Sequence, residues 1–222
     1  MMQYPLRHPM NSSTAANDAN IYDAATDVHG VAMGWAVSAI VFRDVGDEAK
    51  AAECFRKSYN TTFAPFFMWH EGVGADGSSA QGAPNFVTGA GGFLQAVCAG
   101  YGGVRFERFG ELTLRNPRPL PNSSSLTSDR ILAVIPCCDS CCLTLARNSR
   151  LRGVHFLGAR LLLVARADAW ELSLWRASPA GAAALEVAAA GAKGAAAKPL
   201  VRGRPVRFAA GTSAVVRAIE AN

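Results

Sequence analysis

Few residues in this chain carry charge. Asp, Glu, Lys and Arg make up 18% of its 222 residues, against 50% hydrophobic. So few charges and so many apolar groups exclude wholesale disorder, because a core can be buried. The sequence also lacks any apolar run of about 20 residues, which excludes a helical membrane span within it. It lacks clustered cations: the net charge is +5, but the Lys and Arg residues are scattered, with neither a basic run nor aromatic residues between them. Nucleic acid is therefore not an expected partner, and neither is a membrane. The first residues, Met1-Met2-Gln3-Tyr4-Pro5-Leu6-Arg7-His8-Pro9, have no apolar export core. The compartment is otherwise unspecified, cytoplasmic by default.

A spaced disulfide framework is absent too. Of six cysteines, Cys54 and Cys98 stand singly within helical patterns, and the rest crowd into Cys137-Cys138-Asp139-Ser140-Cys141-Cys142. Structural zinc sites use two separated Cys pairs. Here Cys138 and Cys141 have the Cys-x₂₋₄-Cys spacing of one such pair, but no second pair lies outside the cluster. No metal and no cofactor is expected. Asp76-Gly77-Ser78-Ser79 is likewise a turn, since a calcium loop needs several alternating carboxylates.

What is present changes character near residue 103. Before it the pattern is helical. Val31 to Phe42 is apolar on most sides, as in a helix buried among others; Asp44 and Gly46 end it, and Asp47 caps a second helix running to about Tyr59. Asn20 to Asp27 reads as a polar approach, and Phe63 to Pro84 as a loop. Asn85 is placed to cap a third helix, Phe86 to Ala99, with Gly100 as its stop. Its glycines, Gly89, Gly91 and Gly92, weaken the helix unless another backbone passes close by. After Gly103 the period shifts towards two. Val104–Arg108 and Glu111–Arg115 flank Phe109-Gly110 as a hairpin. Further strands are expected at Gly153–Leu157, Arg160–Ala165, Trp170–Trp175, Leu185–Ala188, Pro205–Phe208 and Ala214–Ile219, with a slack Ala- and Gly-rich turn region across Ala180–Ala197. Short strands with Gly turns suggest a β-sandwich.

Three stretches taken in order carry a family resemblance: Tyr22-Asp23-Ala24-Ala25-Thr26 leading to Gly30-Val31-Ala32-Met33-Gly34-Trp35; Pro65-Phe66-Phe67-Met68-Trp69-His70-Glu71; and Asn85-Phe86-Val87-Thr88-Gly89-Ala90-Gly91-Gly92-Phe93-Leu94-Gln95-Ala96-Val97. Together they resemble the end of the catalytic domain of glycoside hydrolase family 65, closest to its eukaryotic hydrolases of the acid-trehalase and glucosylgalactosylhydroxylysine-glucosidase kind. The last stretch is long and specific, whereas Trp-x-Glu alone would be weak. The likeness is good over Tyr4 to Leu114 and weaker over Gly153 to Val216.

The resemblance implies an α+β chain. Residues 1–102 would be the C-terminal helices of an (α/α) six-hairpin toroid. Residues 103–222 would be a small β-sandwich domain with an insertion at about 123–147, since the family passes quickly from a Leu-Pro stretch such as Leu120-Pro121 to a Gly-Val-x-Phe-x-Gly strand such as Gly153–Gly158. With upstream helices missing, part of Val31 to Val41 would lie exposed. The implied activity is hydrolysis of an α-glucosidic bond with inversion, on a glucoside or glycan substrate, with Glu71 as general base. The family's general acid precedes this segment, so the chain alone is expected to be inactive, and its partner would be the missing N-terminal part of the same protein. From spacing alone Glu71 reads as a surface glutamate after an aromatic anchor; the flanking motifs are what give it a catalytic role. Trp69 and His70 beside it are candidates for substrate contact, Trp69 as a surface for a sugar ring. His70 is alternatively a loop histidine bonded to nearby backbone, and the family usually has a small residue there. The family also has Pro-Ala-Met-Thr-Trp where this chain has Val31-Ala32-Met33-Gly34-Trp35. Trp35 reads as packing. Two rival functions remain: a phosphorylase of the same family, which the lack of a serine-rich phosphate site near Val31–Met33 disfavours, and a carbohydrate-binding remnant without turnover.

Overall fold

The computed structural model describes residues 2–77, 79–121, 143–144, 149–177, 184–191 and 196–219. The chain combines helices and sheets, an α+β composition, and divides into two compact units, Met1–Gly100 and Tyr101–Asn222.

The first unit opens with α1 (Ser12–Ala25), a helix where a polar approach was expected. The Asn11 side chain accepts from the Thr14 N–H and starts it, yet of its residues only Ala19 is buried. With so little amphipathicity the hydrophobic period was not there to be read. The apolar run forms α2 (Ala32–Val45), closed by Gly46 at φ +88°. Asp47 accepts from the Lys50 N–H and begins α3 (Glu48–Lys57), which carries Glu48 in its first turn and Arg56 and Lys57 in its last, each placed favourably for the helix dipole. Most of the run Val31 to Val41 is covered: Trp35, Ala36, Ala39 and Ile40 are buried, Met33 and Val37 half-buried, and Val31 exposed. Exposed apolar surface also lies on Ile21, Tyr22, Val28, Phe66 and Val87.

The expected loop from Phe63 to Pro84 is a three-stranded antiparallel sheet of β1 (Thr62–Phe63), β2 (Met68–Val73) and β3 (Ala80–Pro84), with β2 in the centre. Next comes α4 (Val87–Gln95). Asn85 does not cap it: Asn85 sits at φ +55°, and the N-cap position falls to Phe86 without a side-chain bond. Gly100 does not stop it either, because the chain continues as a π-helical turn, Ala96–Tyr101, and first turns left-handed at Gly103. Two of the three glycines of α4 meet another helix, while Gly91 faces open space. A methyl on Gly92 would stand 3.2 Å from Ala36 Cβ, and one on Gly89 would stand 3.3 Å from Ala32 Cβ. Both neighbours belong to α2, so small residues on each side let the two helices approach closely.

Cys54 on α3 is fully buried, with Sγ 3.8 Å from Asp23 Oδ1. Burial first, and the Asp23 carboxylate second, push its thiol up to about 12. Its contribution to stability is whole below the unfolded thiol value of about 8.5. As pH rises from there, the unfolded chain ionises first, and the contribution is lost towards pH 12. This group alone is expected to lower stability by about 1.4 kcal/mol per pH unit in that window. Denaturant titrations at about pH 8 and about pH 10 check this; a slope shared by Cys54→Ala would assign the effect elsewhere.

The second unit is two five-stranded antiparallel sheets. One has the order β11-β10-β13-β5-β4, from β4 (Val104–Arg108), β5 (Glu111–Leu114), β10 (Leu185–Ala189), β11 (Lys198–Pro199) and β13 (Ala214–Ala218). The other has the order β12-β9-β8-β7-β6, from β6 (Leu143–Thr144), β7 (Ser149–Phe156), β8 (Ala159–Ala165), β9 (Ala169–Ala177) and β12 (Val206–Ala209). Leu112, Leu114 and Val216 of the first and Leu161, Leu163 and Trp170 of the second belong to one core. Trp170 stacks on Phe208 at 4.3 Å, and its Nε1 donates to Thr212 O at 3.1 Å. The hairpin and the later strands stand where alternation puts them. Leu143 and Thr144, within the expected insertion, pair with β7 as an edge strand. The four crowded cysteines lie outside the described residues.

Candidate active site

Glu71 stands on β2, whose central place in the small sheet fixes it from both sides. Alternation along the strand turns Trp69 and Glu71 one way and His70 the other. Trp69 is 6% exposed, its Nε1 donates to Ser58 O at 3.0 Å, and its ring lies 5.4 Å from Phe93. His70 donates its backbone N–H to Thr61 O at 3.0 Å and sets its ring edge-on to Phe63 at 5.6 Å. On Gly72 a methyl would meet His29 O at 3.1 Å, so the turn before α2 crosses the strand there. A hairpin closed by Gly74 N–H to Ser79 O at 2.9 Å then leads into β3.

The pairing is irregular opposite Glu71. His70 pairs with Pro84 and Gly72 with Gln81, so two residues, Gly82 and Ala83, face one, Glu71. Gly82 has φ +71°, the left-handed glycine of a β-bulge. A methyl there would stand 2.6 Å from both Cβ and Oε2 of Glu71. The carboxylate thus lies over the bulge, and Oε2 accepts from the Ala83 N–H at 3.3 Å. Oε1 has no hydrogen-bond partner among the described residues. Gly82 and Ala83 were not singled out in the sequence, although a glycine within a strand-like stretch is the usual sign of a bulge.

A half-buried carboxylate, tethered through one oxygen and open at the other, has the form of a base that accepts a proton from water. A cavity of about 130 Å³ lies elsewhere in this unit, lined by Gln3, Asp18, Tyr22, Val37 and Val41 among others. It includes none of Trp69, His70 and Glu71. Among the described residues no group of three or more His, Cys, Asp or Glu side chains is placed to hold a metal ion, and no helix is long and apolar enough to cross a membrane.

The named relatives are glucosidases. The chain is 40% identical over 108 residues to a Danio rerio protein named protein-glucosylgalactosylhydroxylysine glucosidase, covering 49% of this chain and 16% of that relative. Proteins of the same name from Gallus gallus and Dictyostelium discoideum are 37% and 33% identical over 108 and 109 residues, each 49% of this chain and 15% and 14% of the relative. The chain therefore spans only about 15% of the length of the curated relatives it matches. No protein-family model and no solved structure matches it.

Proposed function

We propose that this chain is part of a glycoside hydrolase of the family 65 type that hydrolyses an α-glucosidic bond with inversion, with Glu71 as the general base. The observation that carries this reading is the bulge at Gly82 and Ala83, which aims and tethers the Glu71 carboxylate. The relatives' names support the reaction class and suggest the substrate: a glucose linked to galactosyl-hydroxylysine. Glu71 Oε1 takes a proton from a water on the face of the sugar opposite the leaving oxygen. A second carboxyl protonates that oxygen, and the pair stands about 6.5–9.5 Å apart to leave room for the water. By resemblance, this acid belongs to a part of the protein outside these residues. The Trp69 indole, expected to offer a surface for a sugar ring, is buried and bonded to Ser58 O, so it serves by fixing β2; His70, half-buried, is the residue left for substrate contact. The helices of the first unit are then the last of an α/α toroid, and the two sheets of the second a β-sandwich.

The test is anomer-resolved glucose release. The longer protein is expected to release β-glucose first from a glucosyl-galactosyl substrate, and the 222-residue chain none above a Glu71→Gln control. Initial α-glucose would overturn inversion, and turnover by the short chain would overturn the division of acid and base.

A further inference from the structure

Cations that the sequence scatters are gathered by one sheet. On β8, Leu161 and Leu163 point into the core, so Arg160 and Leu162 point out. By the same alternation Arg150, Arg152 and His155 of β7 point out, while Leu151, Val154 and Phe156 pack inward. His155 pairs with Arg160, and Arg160 with Arg176 of β9. These three side chains therefore form a row across adjacent strands, at the strand spacing of about 4.8 Å. Like charges directly opposite are unfavourable within a sheet.

A second bulge adds an aromatic group to it. Arg160 faces Arg176 and Leu161 faces Leu174, leaving Trp175 as the extra residue of β9. Both neighbouring guanidinium groups approach its ring, Arg176 at 5.0 Å and Arg152 at 6.0 Å from the centroid. Among the described residues neither arginine is paired with a carboxylate. Stacking on an indole holds a guanidinium flat and leaves its N–H edge outward, the geometry that grips an oxyanion with two parallel bonds. Glu171, also outward on β9, lies towards the strand's other end and is bound by Arg166 at 2.8 Å.

We infer that the outer face of β7, β8 and β9, centred on Trp175 with Arg152, His155, Arg160 and Arg176, binds an acidic glycan through its sulfate or carboxylate groups. Repeated cations at strand spacing suit a chain with regularly repeated anions. A nucleic acid fits less well. Single strands need successive aromatic platforms, and here the one indole is taken up by arginines. A duplex is read by a helix or a two-stranded ribbon that enters a groove, and this face lies within a five-stranded sheet. The site is independent of Glu71 and needs no turnover.

The 222-residue chain can be tested directly with heparin as the acidic probe, dextran as the neutral one and a single-stranded oligonucleotide as the phosphate one. Heparin is expected to bind at about 0.15 M salt and to weaken steeply as salt rises; dextran is not expected to bind. Arg152→Gln with Arg176→Gln should weaken heparin binding at least about tenfold, since two charge-assisted contacts are lost. Arg207→Gln with Arg217→Gln removes the same charge from other, exposed positions and should change affinity less than about twofold. Trp35, Trp69 and Trp170 are buried, so fluorescence changes on binding should come from Trp175 and vanish in Trp175→Phe. Equal losses from the two arginine pairs would show diffuse charge and overturn the site. So would tighter binding of the oligonucleotide than of heparin, or no heparin binding at about 0.15 M salt.

Discussion

In the longer protein, Glu71→Gln is expected to lower kcat by about 10²–10⁴-fold, the usual contribution of a positioned acid or base, with KM changed little. Gln has the same shape as Glu, and its carbonyl oxygen can still accept from the Ala83 N–H that now holds Oε2. The strand and its bulge should therefore persist, and only the capacity to take a proton is lost. A group that acts in the transition state shows its loss in kcat and not in ground-state binding. Gly82→Ala supplies the companion test. Its methyl would stand 2.6 Å from Oε2, and φ +71° is strained for any residue with a Cβ. The carboxylate must move, so kcat should fall although Glu71 is intact. In the double variant Gly82→Ala should then add almost nothing to Glu71→Gln, because both act through one group. A kcat loss below about tenfold for Glu71→Gln would transfer the base role to another carboxylate. Independent, additive losses would mean that Gly82 serves the fold and not the aim of Glu71.

The sequence made the second unit legible and much of the first unit's small sheet invisible, for physical reasons. Strands such as Arg160–Ala165 alternate cleanly because one face meets a core, so a period of two survives in the sequence. The strands around Glu71 have no such period. Met68–Val73 carries an aromatic anchor, two polar residues and a glycine, and all of Ala80–Pro84 is exposed. Its sheet is held by backbone bonds and by the Trp69 anchor, neither of which leaves a hydrophobic pattern. Helix α1 was missed for the same reason. Glu71 could be singled out only through the motifs on either side of it. Its geometry depends on Gly82, eleven positions away, whose part appears only in the pairing register. The row of cations on β7, β8 and β9 was hidden likewise, because residues 155, 160 and 176 become neighbours only through that register.

Phe93→Ala is expected to destabilise the first unit by about 3–5 kcal/mol, the range for removing a buried aromatic ring. Phe93 is 1% exposed, and three other rings meet it: Phe55 stacked at 5.3 Å, Tyr59 edge-on at 6.0 Å and Trp69 tilted at 5.4 Å. These rings belong to α3, the turn after it and β2, so a single side chain of α4 joins the helices to the strand that carries Glu71. Shrinking it to a methyl leaves a cavity, which the partners can fill only in part. Gly89 and Gly92 already bring α4 close to α2, so the helix has little room to move inward. With domain stabilities of about 5–15 kcal/mol, such a loss takes much of the margin. Phe93→Leu should cost clearly less, since it keeps most of the volume. Urea denaturation followed by the near-ultraviolet dichroism of the aromatic rings measures both variants. If Phe93→Ala costs under about 1 kcal/mol, the ring is not the junction between helices and strand, and β2 must be held by its backbone pairing and by the Trp69 bond to Ser58.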